Sequence, residues 1–202
     1  SDTAVDETLE RLGTDYADLM ILHQPAGDYI AGYQKLEAGY KAGKLRAIGI
    51  SNFNAAEVEE VVEKCEVVPA VVQVECHPYF PQAELKKTLA KHGIALQAWY
   101  PLGGRGNDSI MGEPVVAELA KKHGKSAAQI ILRWHVQQGN IVIPGSKTPA
   151  HIAQNLDVFD FELTDDDMAA IAALDKNDTI YHRTDEQLAQ FAQWHPDVEG
   201  QK

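Results

Sequence analysis

The strongest constraint on the fold is a regular alternation between short apolar runs and segments with helical periodicity. Five runs predict strands, at residues 18–22, 45–50, 69–74, 94–99 and 141–144. Because these runs are apolar throughout, we expect them to be buried on both faces of a parallel sheet. The helical segments between them indicate right-handed βα units. The sequence therefore predicts an α/β fold, and both a doubly wound sheet and a TIM barrel fit the pattern.

The predicted helices show apolar residues three or four positions apart. They cover residues 29–41, 54–65, 85–92, 114–123, 126–138, 148–156 and 164–174. Gly43, Gly93 and Gly139 are typical C-terminal stops, while Asn54 and Ser126 are typical N-caps. We expect a single domain over residues 1–202, with five βα units in 1–147, terminal helices in 148–175 and a polar tail in 176–202.

Composition argues against several classes of partner and site. The 202 residues include 18 Lys and Arg against 30 Asp and Glu, a formal net charge of −12, without the basic cluster that neutralises phosphates. Neither nucleic acid nor membrane is therefore expected as a partner, and neither a signal peptide nor a transmembrane helix is expected. Cys65 and Cys76 are too few for a disulfide framework, and the eight histidines lack metal-ligand spacing. The sequence predicts a cytoplasmic protein with no metal.

Polar and aromatic residues follow the predicted strands, where functional groups gather in parallel α/β folds. His23 follows the first strand, where an imidazole either orients a carbonyl oxygen or caps the strand. Ser51 and Asn52 follow the second, and suit either a planar amide ligand or a helix cap. Trp99 ends the fourth, and either stacks on an aromatic ring or fills the core. Each residue is therefore a functional candidate with a structural alternative.

A candidate anion site precedes the helix that begins at residue 148. Ser146, Lys147 and Thr148 combine hydroxyl groups and a cation with the N–H groups of a helix N-terminus, and this combination favours phosphate. A solvated loop with Thr148 as its N-cap fits the same residues. Neither a GxSxG nor a GxGxxG motif is present, and residues 103–106 lack the ending of a Walker loop.

Five segments, in chain order, resemble signatures of the aldo-keto reductase family of nicotinamide-dependent oxidoreductases. They read DLMILHQP (18–25), GKLRAIGISNF (43–53), VQVECHP (72–78), AWYPLG (98–103) and IPGSK (143–147). The resemblance covers residues 5 to 174, and the tryptophan in the fourth segment is similar to the bacterial diketogulonate-reductase branch. It implies a (β/α)8 TIM barrel of which strands 4 to 8 and the C-terminal helices are present.

The resemblance also implies an NADP(H) site and a role for each matching residue. His23 matches the active-site histidine that helps to bind and polarise the substrate carbonyl, and Trp99 matches the residue that stacks on the nicotinamide. The other matches are to the groups around the carboxamide (Ser51, Asn52, Gln73), the pyrophosphate loop (Leu102), the adenosine 2′-phosphate (Ser146, Lys147, Thr148) and the adenine (Gln154, Asn155). Tyr100 and Pro101 are further cofactor-binding candidates.

Two positions depart from the family pattern near the 2′-phosphate. His151 stands where the family commonly has Arg, and Gly145 stands where it commonly has Lys. A neutral imidazole is a weaker phosphate partner than a guanidinium. Because Lys147 lies at a neighbouring position and can compensate, the resemblance still favours NADPH over NADH.

A larger departure concerns the N-terminal units that carry the family's catalytic Asp, Tyr and Lys. Tyr16, Tyr29 and Tyr33 do not stand in the motif of the proton donor. We therefore expect either a fragment of a longer protein or another chain or segment that supplies the missing units. Without them, the first and last strands of the sheet are expected to be open edges.

The sequence thus predicts NADPH-dependent reduction of a small aldehyde or ketone. One alternative is a catalytically incomplete half-barrel that binds nucleotide, and another is a non-enzymatic relative that acts as a subunit. Among the aromatic residues of the tail, Tyr181, Phe191 and Trp194 are candidates for lining the substrate site.

Overall fold

The computed structural model describes residues 3–104 and 109–194. Their elements, in chain order, are α1 (Ala4–Leu12), β1 (Met20–Leu22), α2 (Tyr29–Lys41), β2 (Ile48–Ser51), α3 (Ala55–Lys64), β3 (Val71–Glu75), α4 (Ala83–His92), β4 (Ala95–Trp99), α5 (Pro114–His123), α6 (Ala127–Gln137), β5 (Ile141–Val142), α7 (Pro149–Leu156), α8 (Asp165–Ala172) and α9 (Asp185–Gln193). They divide between two compact units, one from residues 1–70 and 182–202 and one from residues 71–181. The predicted single-domain boundaries stay a prediction.

The first unit contains the parallel pair β1 and β2, in which Met20 lies opposite Ile48 and Leu22 opposite Ile50. All of β2 is buried. On α2, the buried Tyr33 donates its hydroxyl proton to the carbonyl oxygen of Val67 at 2.9 Å. This bond ties α2 to the segment that follows α3.

The second unit contains the parallel strands β3, β4 and β5. Glu75 at the end of β3 lies opposite Trp99 at the end of β4, and Ala98 lies opposite Val142 of β5. Since strands and helices alternate and the strand pairs within both units are parallel, the predicted α/β class with parallel strands is confirmed.

Capping boxes, in which a side chain and a backbone N–H pair reciprocally, begin four helices. Three lie at helix starts that the sequence predicts, and the fourth begins α9 in the segment predicted to be a polar tail. That segment is therefore partly helical. The four pairs are Asn54 with Glu57, Ser126 with Gln129, Thr164 with Asp167, and Thr184 with Gln187.

The expectation that every strand is buried on both faces is wrong for β1, β4 and β5. In β4, partly buried residues alternate with buried ones. The three residues of β1 are only partly buried, and Ile141 of β5 is 45% exposed. Within its own unit, each of these strands pairs with a single described neighbour, whereas β4 pairs on both sides. One edge of β1 and one of β5 therefore lack the cover that a neighbouring strand gives.

Helix α6 combines an apolar face with a row of polar side chains at four-residue spacing. Ile130 and Trp134 belong to a buried apolar cluster that also includes residues of α5 and α8. Gln129 donates to the carbonyl of Asp157 at 2.7 Å, and Arg133 donates to that of Val158 at 3.2 Å. Gln137 both donates to the carbonyl and accepts from the N–H of Leu163, at 2.9 and 2.7 Å. These side chains fix the path of the loop between α7 and α8.

Candidate active site

The sequence-predicted site residues divide between the two units. The first unit holds His23, Ser51, Asn52 and Trp194, and the second holds the remaining candidates. Most of them lie at strand ends or in the loops that follow, whereas Gln73 lies within β3, Trp194 follows α9, and His151, Gln154 and Asn155 lie in α7. The second group is Gln73, Trp99, Tyr100, Pro101, Leu102, Gly145, Ser146, Lys147, Thr148, His151, Gln154 and Asn155.

In the first unit, the carboxyl end of β2 brings three predicted residues together. Ser51 is fully buried, and its hydroxyl oxygen has no hydrogen-bond partner among the described residues. Asn52 follows with a left-handed backbone, φ 66°, and its side-chain nitrogen donates to the carbonyl oxygen of His23 at 3.3 Å. A buried hydroxyl without a partner costs free energy, so this strand end is suited to receive a polar ligand atom.

Two residues that the sequence did not single out support this strand end. Arg183 donates to the carbonyl oxygen of Asn52 at 2.6 Å. The same guanidinium binds both carboxylate oxygens of Glu57, at 3.1 and 2.8 Å. No local pattern identifies Arg183, because its partners lie more than a hundred residues earlier.

In the second unit, one open pocket of about 800 Å³ collects many of the predicted cofactor residues. This volume lies in the range typical of small-molecule and cofactor sites. Seven predicted residues line it, together with four that the sequence did not predict. The predicted seven are Trp99, Tyr100, Pro101, Leu102, Gly145, Ser146 and Lys147, and the others are Gly104, Met111, Ile143 and Pro144.

The loop after β4 forms one wall of this pocket through a tight backbone approach. Tyr100 is left-handed with φ 52°, and Gly104 has φ 78°. A Cβ atom on Gly104 would lie 2.8 Å from Cδ2 of Tyr100, closer than side chains tolerate. Glycine is therefore required both for the conformation and for the contact.

A buried histidine also binds the loop after β4. His135 of α6 donates from Nε2 to the carbonyl oxygen of Pro101 at 3.2 Å, while its Nδ1 accepts from the side chain of Asn140 at 3.0 Å. Burial lowers the pKa of His135 to about 3. The imidazole is thus neutral at physiological pH, with its proton on Nε2.

The opposite wall leads into the N-terminus of α7. The Ser146 hydroxyl accepts from the N–H of Thr148 at 3.1 Å, and Lys147 is exposed beside it. Thr148 is the N-cap of α7 but makes no side-chain capping bond. An exposed cation next to a helix N-terminus suits an anionic group. The other α7 candidates, His151, Gln154 and Asn155, lie further along the helix and do not line the pocket.

Gln73 lies in the middle of β3, where its side-chain nitrogen donates to Oε1 of Gln97 on β4 at 2.6 Å. The two residues are register partners, so their amides meet on one face of the sheet. Gln97 was not predicted from sequence, although the pairing of β3 with β4 brings the two together.

Glu75 is the polar centre of the second unit at the end of β3. Its carboxylate accepts from Nε2 of His77 at 2.9 Å and from the Thr179 hydroxyl at 2.8 Å. It also accepts from the backbone N–H groups of Ile180, at 2.6 Å, and Tyr181, at 2.9 Å. Burial raises the pKa of Glu75, but these donors outweigh it and hold the pKa below its ordinary value. The segment 179–181 is thereby fixed beside Trp99.

The aromatic residues of the tail have different environments. The Tyr181 hydroxyl is buried with no partner among the described residues. Trp194, the predicted substrate-lining residue, is 63% exposed, and its role stays a prediction.

Two further findings hold for the described residues. None of their His, Cys, Asp and Glu side chains form a group of three or more placed to hold a metal ion. None of their helices is both long and apolar enough to cross a bilayer.

Comparison with known proteins gives a consistent family match. The family model described as "Aldo/keto reductase family" matches residues 2–109 and 111–176. An aldo-keto reductase of Mycolicibacterium smegmatis is 43% identical over 175 residues, which cover 85% of this chain and 62% of the relative. A glyoxal reductase of Bacillus subtilis is 43% identical over 186 residues, covering 92% of this chain and 66% of the relative. The chain thus spans less than two thirds of the length of these curated relatives.

Solved structures include the same fold. The crystal structure of a Bombyx mori aldo-keto reductase in complex with NADP matches with a TM-score of 0.83 and 34% identity. The match covers 91% of this chain and 66% of that structure.

Proposed function

The chain belongs to the aldo/keto reductase family, and we propose that it binds NADP(H) and takes part in reducing an aldehyde or ketone to an alcohol. One observation carries the proposal. Seven residues that the family resemblance implies for the cofactor, drawn from the loop after β4 and the loop after β5, line a single pocket. That the Bombyx mori relative was solved with NADP supports the choice of cofactor.

The chemistry of the donors fits this cofactor. The buried Ser51 hydroxyl, which has no partner in the described part of the chain, is suited to the carboxamide of nicotinamide. In the pocket, Trp99 offers an indole ring for stacking. Lys147 supplies a positive charge next to a helix N-terminus, as a 2′-phosphate requires. We therefore prefer NADP(H) to NAD(H).

We propose the following roles for the chain's own residues. Ser51, Asn52 and Gln73 orient the carboxamide, and Trp99 fixes the plane of the nicotinamide ring. The loop after β4 binds the pyrophosphate through Tyr100, Pro101 and Leu102. The residues proposed to bind the adenosine half of the cofactor are Gly145, Ser146, Lys147, Thr148, His151, Gln154 and Asn155.

When bound, NADPH supplies the hydride for the reduction. His23 presents an imidazole that hydrogen-bonds the substrate carbonyl and so orients it. The proposal further places the strands of this chain in a (β/α)8 barrel, in which the βα units with the catalytic Asp, Tyr and Lys come from another segment or chain. A small reactive carbonyl compound is a reasonable first substrate, since one relative is named glyoxal reductase.

A second candidate function is cofactor binding without turnover by this chain alone. The hydrogen bonds and pKa values of Tyr29 and Tyr33 favour it. Tyr29 donates to the carboxylate of Glu60 and Tyr33 donates to the carbonyl of Val67. Burial raises the pKa of both hydroxyls, that of Tyr29 to about 12. A proton donor in carbonyl reduction needs a pKa near the working pH, so neither tyrosine is suited to that step.

The test is a calorimetric titration of the 202-residue chain with NADPH, followed by addition of glyoxal and measurement of NADPH absorbance. We expect the Trp99→Ala variant to bind NADPH about fivefold more weakly, because aromatic stacking contributes roughly 1 kcal/mol. Tyr16→Ala, which removes an aromatic ring that is 40% exposed, is the matched control. Equal affinities of wild type and Trp99→Ala would reject the nicotinamide assignment. Binding with glyoxal-dependent NADPH oxidation supports the reductase, whereas binding without oxidation supports the second candidate.

A further inference from the structure

Asn52 has an unusual backbone conformation for a residue with a side chain. Its φ of 66° lies in the left-handed region, immediately after the buried end of β2. This region costs a residue with a Cβ roughly 1 kcal/mol, although Asn tolerates it better than most. Such a conformation persists when surrounding contacts determine it. The contacts around Asn52 therefore decide where its side-chain amide points.

Both the side-chain amide and the backbone carbonyl of Asn52 form hydrogen bonds. Its side-chain nitrogen donates to the carbonyl oxygen of His23 at 3.3 Å. Its own carbonyl oxygen accepts from the guanidinium of Arg183 at 2.6 Å. A charge-assisted bond of this length is stronger than a bond between neutral groups. Arg183 thus holds the Asn52 backbone through a charged donor.

Arg183 is itself fixed by Glu57. The guanidinium binds the two carboxylate oxygens at 3.1 and 2.8 Å, a forked arrangement that lysine cannot reproduce. Both side chains are largely buried, with 22% exposed for Arg183 and 18% for Glu57. Glu57 is anchored in turn by the capping box of α3, where it accepts from the N–H of Asn54 at 2.7 Å. The guanidinium therefore has a well-defined position.

We propose that Arg183 is a positioning residue for the nicotinamide carboxamide, because it holds the left-handed backbone of Asn52 and so sets the direction of the Asn52 amide. This inference rests on the proposed function. Arg183 does not contact the reacting atoms; it acts through Asn52. A purely structural role, in which the Arg183–Glu57 pair only fastens the segment after residue 181, predicts a loss of stability with no preference for one half of the cofactor.

The experiment compares binding of the whole cofactor with binding of its adenosine half. Isothermal titration of the full chain measures affinity for NADP⁺ and for adenosine 2′,5′-bisphosphate, which lacks the nicotinamide. We expect Arg183→Met to weaken NADP⁺ binding about tenfold and to leave binding of the bisphosphate within about twofold. Arg183→Lys is expected to fall between, since a compact ammonium keeps the charge but does not match the forked geometry of the guanidinium. Arg46→Met, which breaks an exposed pair with Asp18, is the matched control.

A second readout needs no cofactor. Backbone chemical shifts of Asn52 in the free chain report its φ, and we expect them to leave the left-handed range in Arg183→Met but not in Arg46→Met. Unchanged NADP⁺ affinity, or an equal loss for both ligands, overturns the inference. If the wild-type chain binds neither ligand, the proposed function fails and the cofactor role of Arg183 fails with it. In that case the Asn52 shifts still decide whether Arg183 holds the backbone.

Discussion

The rings of Trp99 and Tyr181 meet edge to face, with centroids 5.8 Å apart and an angle of 71° between their planes. Aromatic pairs prefer this arrangement over face-to-face contact. Tyr181 reaches it because its backbone N–H is bound by Glu75, the register partner of Trp99 on the neighbouring strand. The indole proposed to stack on nicotinamide is therefore braced by a residue far along the chain.

Replacement of the Glu75 carboxylate is expected to release this brace. Glu75→Gln puts an NH2 group among four donors, so at least one bond is lost and the variant is about 1–3 kcal/mol less stable to urea. Hydrogen exchange at the amides of Ile180 and Tyr181 is expected to accelerate. Glu84→Gln, which alters an exposed pair with Lys87, is the control. Unchanged exchange at the two amides would show that Glu75 does not hold the segment.

Gly104→Ala is expected to damage the pocket wall through two separate effects. The left-handed conformation costs the new residue roughly 1 kcal/mol, and its Cβ collides with the Tyr100 ring. Gly139→Ala is a matched control, because Gly139 has a similar φ of 73° but nothing within 4 Å of the added atom. Urea unfolding and NADPH titration should show a larger stability loss for Gly104→Ala and weaker binding for that variant alone. Equal losses would mean that the ring moves aside freely.

Lys147 is expected to set the preference between NADPH and NADH. The Lys147→Met variant loses a charged partner for the 2′-phosphate, so its affinity for NADPH falls about tenfold while its affinity for NADH is nearly unchanged. Lys121→Met, on the exposed surface of α5 in the same unit, controls for net charge. Parallel titrations with both cofactors measure the ratio. If Lys147→Met kept the wild-type ratio of NADPH to NADH affinity, Lys147 would not be a 2′-phosphate ligand.

His135 is expected to make stability fall in mild acid. Burial lowers its folded-state pKa to about 3, whereas an unfolded histidine titrates near 6.5. The neutral form is favoured in the fold, so the contribution is complete above about pH 6.5 and declines as the pH falls toward 3. Between pH 7.5 and 5.5 the wild type should lose about 1 kcal/mol more than His135→Gln in urea unfolding. The same pH dependence in both proteins would contradict a buried neutral imidazole.

Much of the fold could be predicted because its signals are local. Capping residues such as Asn54 and Ser126 and glycines such as Gly93 determine where helices begin and end, through contacts within a few residues. The helix α9 was missed because its mostly polar composition is also typical of an exposed tail, although its capping box of Thr184 and Gln187 is a local signal. The partial exposure of β1 and β5 depends on which neighbours are present, which apolarity alone does not encode.

The candidate site was predictable where residues follow strands directly. Trp99 and Lys147 lie at the two loops that form the pocket, as the order of βα units indicates. The supporting residues were not predictable. Glu75 binds Thr179, and Glu57 binds Arg183, across more than a hundred positions. An ion pair or carboxylate clamp between distant positions leaves no periodic trace in a single sequence.

The polar row on α6 has a consequence for the loop between α7 and α8. Gln129, Arg133 and Gln137 bind main-chain atoms at Asp157, Val158 and Leu163, including both the N–H and the carbonyl of Leu163. Main-chain atoms are the same in every residue type, except that proline lacks the N–H. These four bonds are therefore independent of the identity of the loop's side chains. A position such as Phe159, 70% exposed, is a natural attachment point for a fluorescent label or an affinity handle.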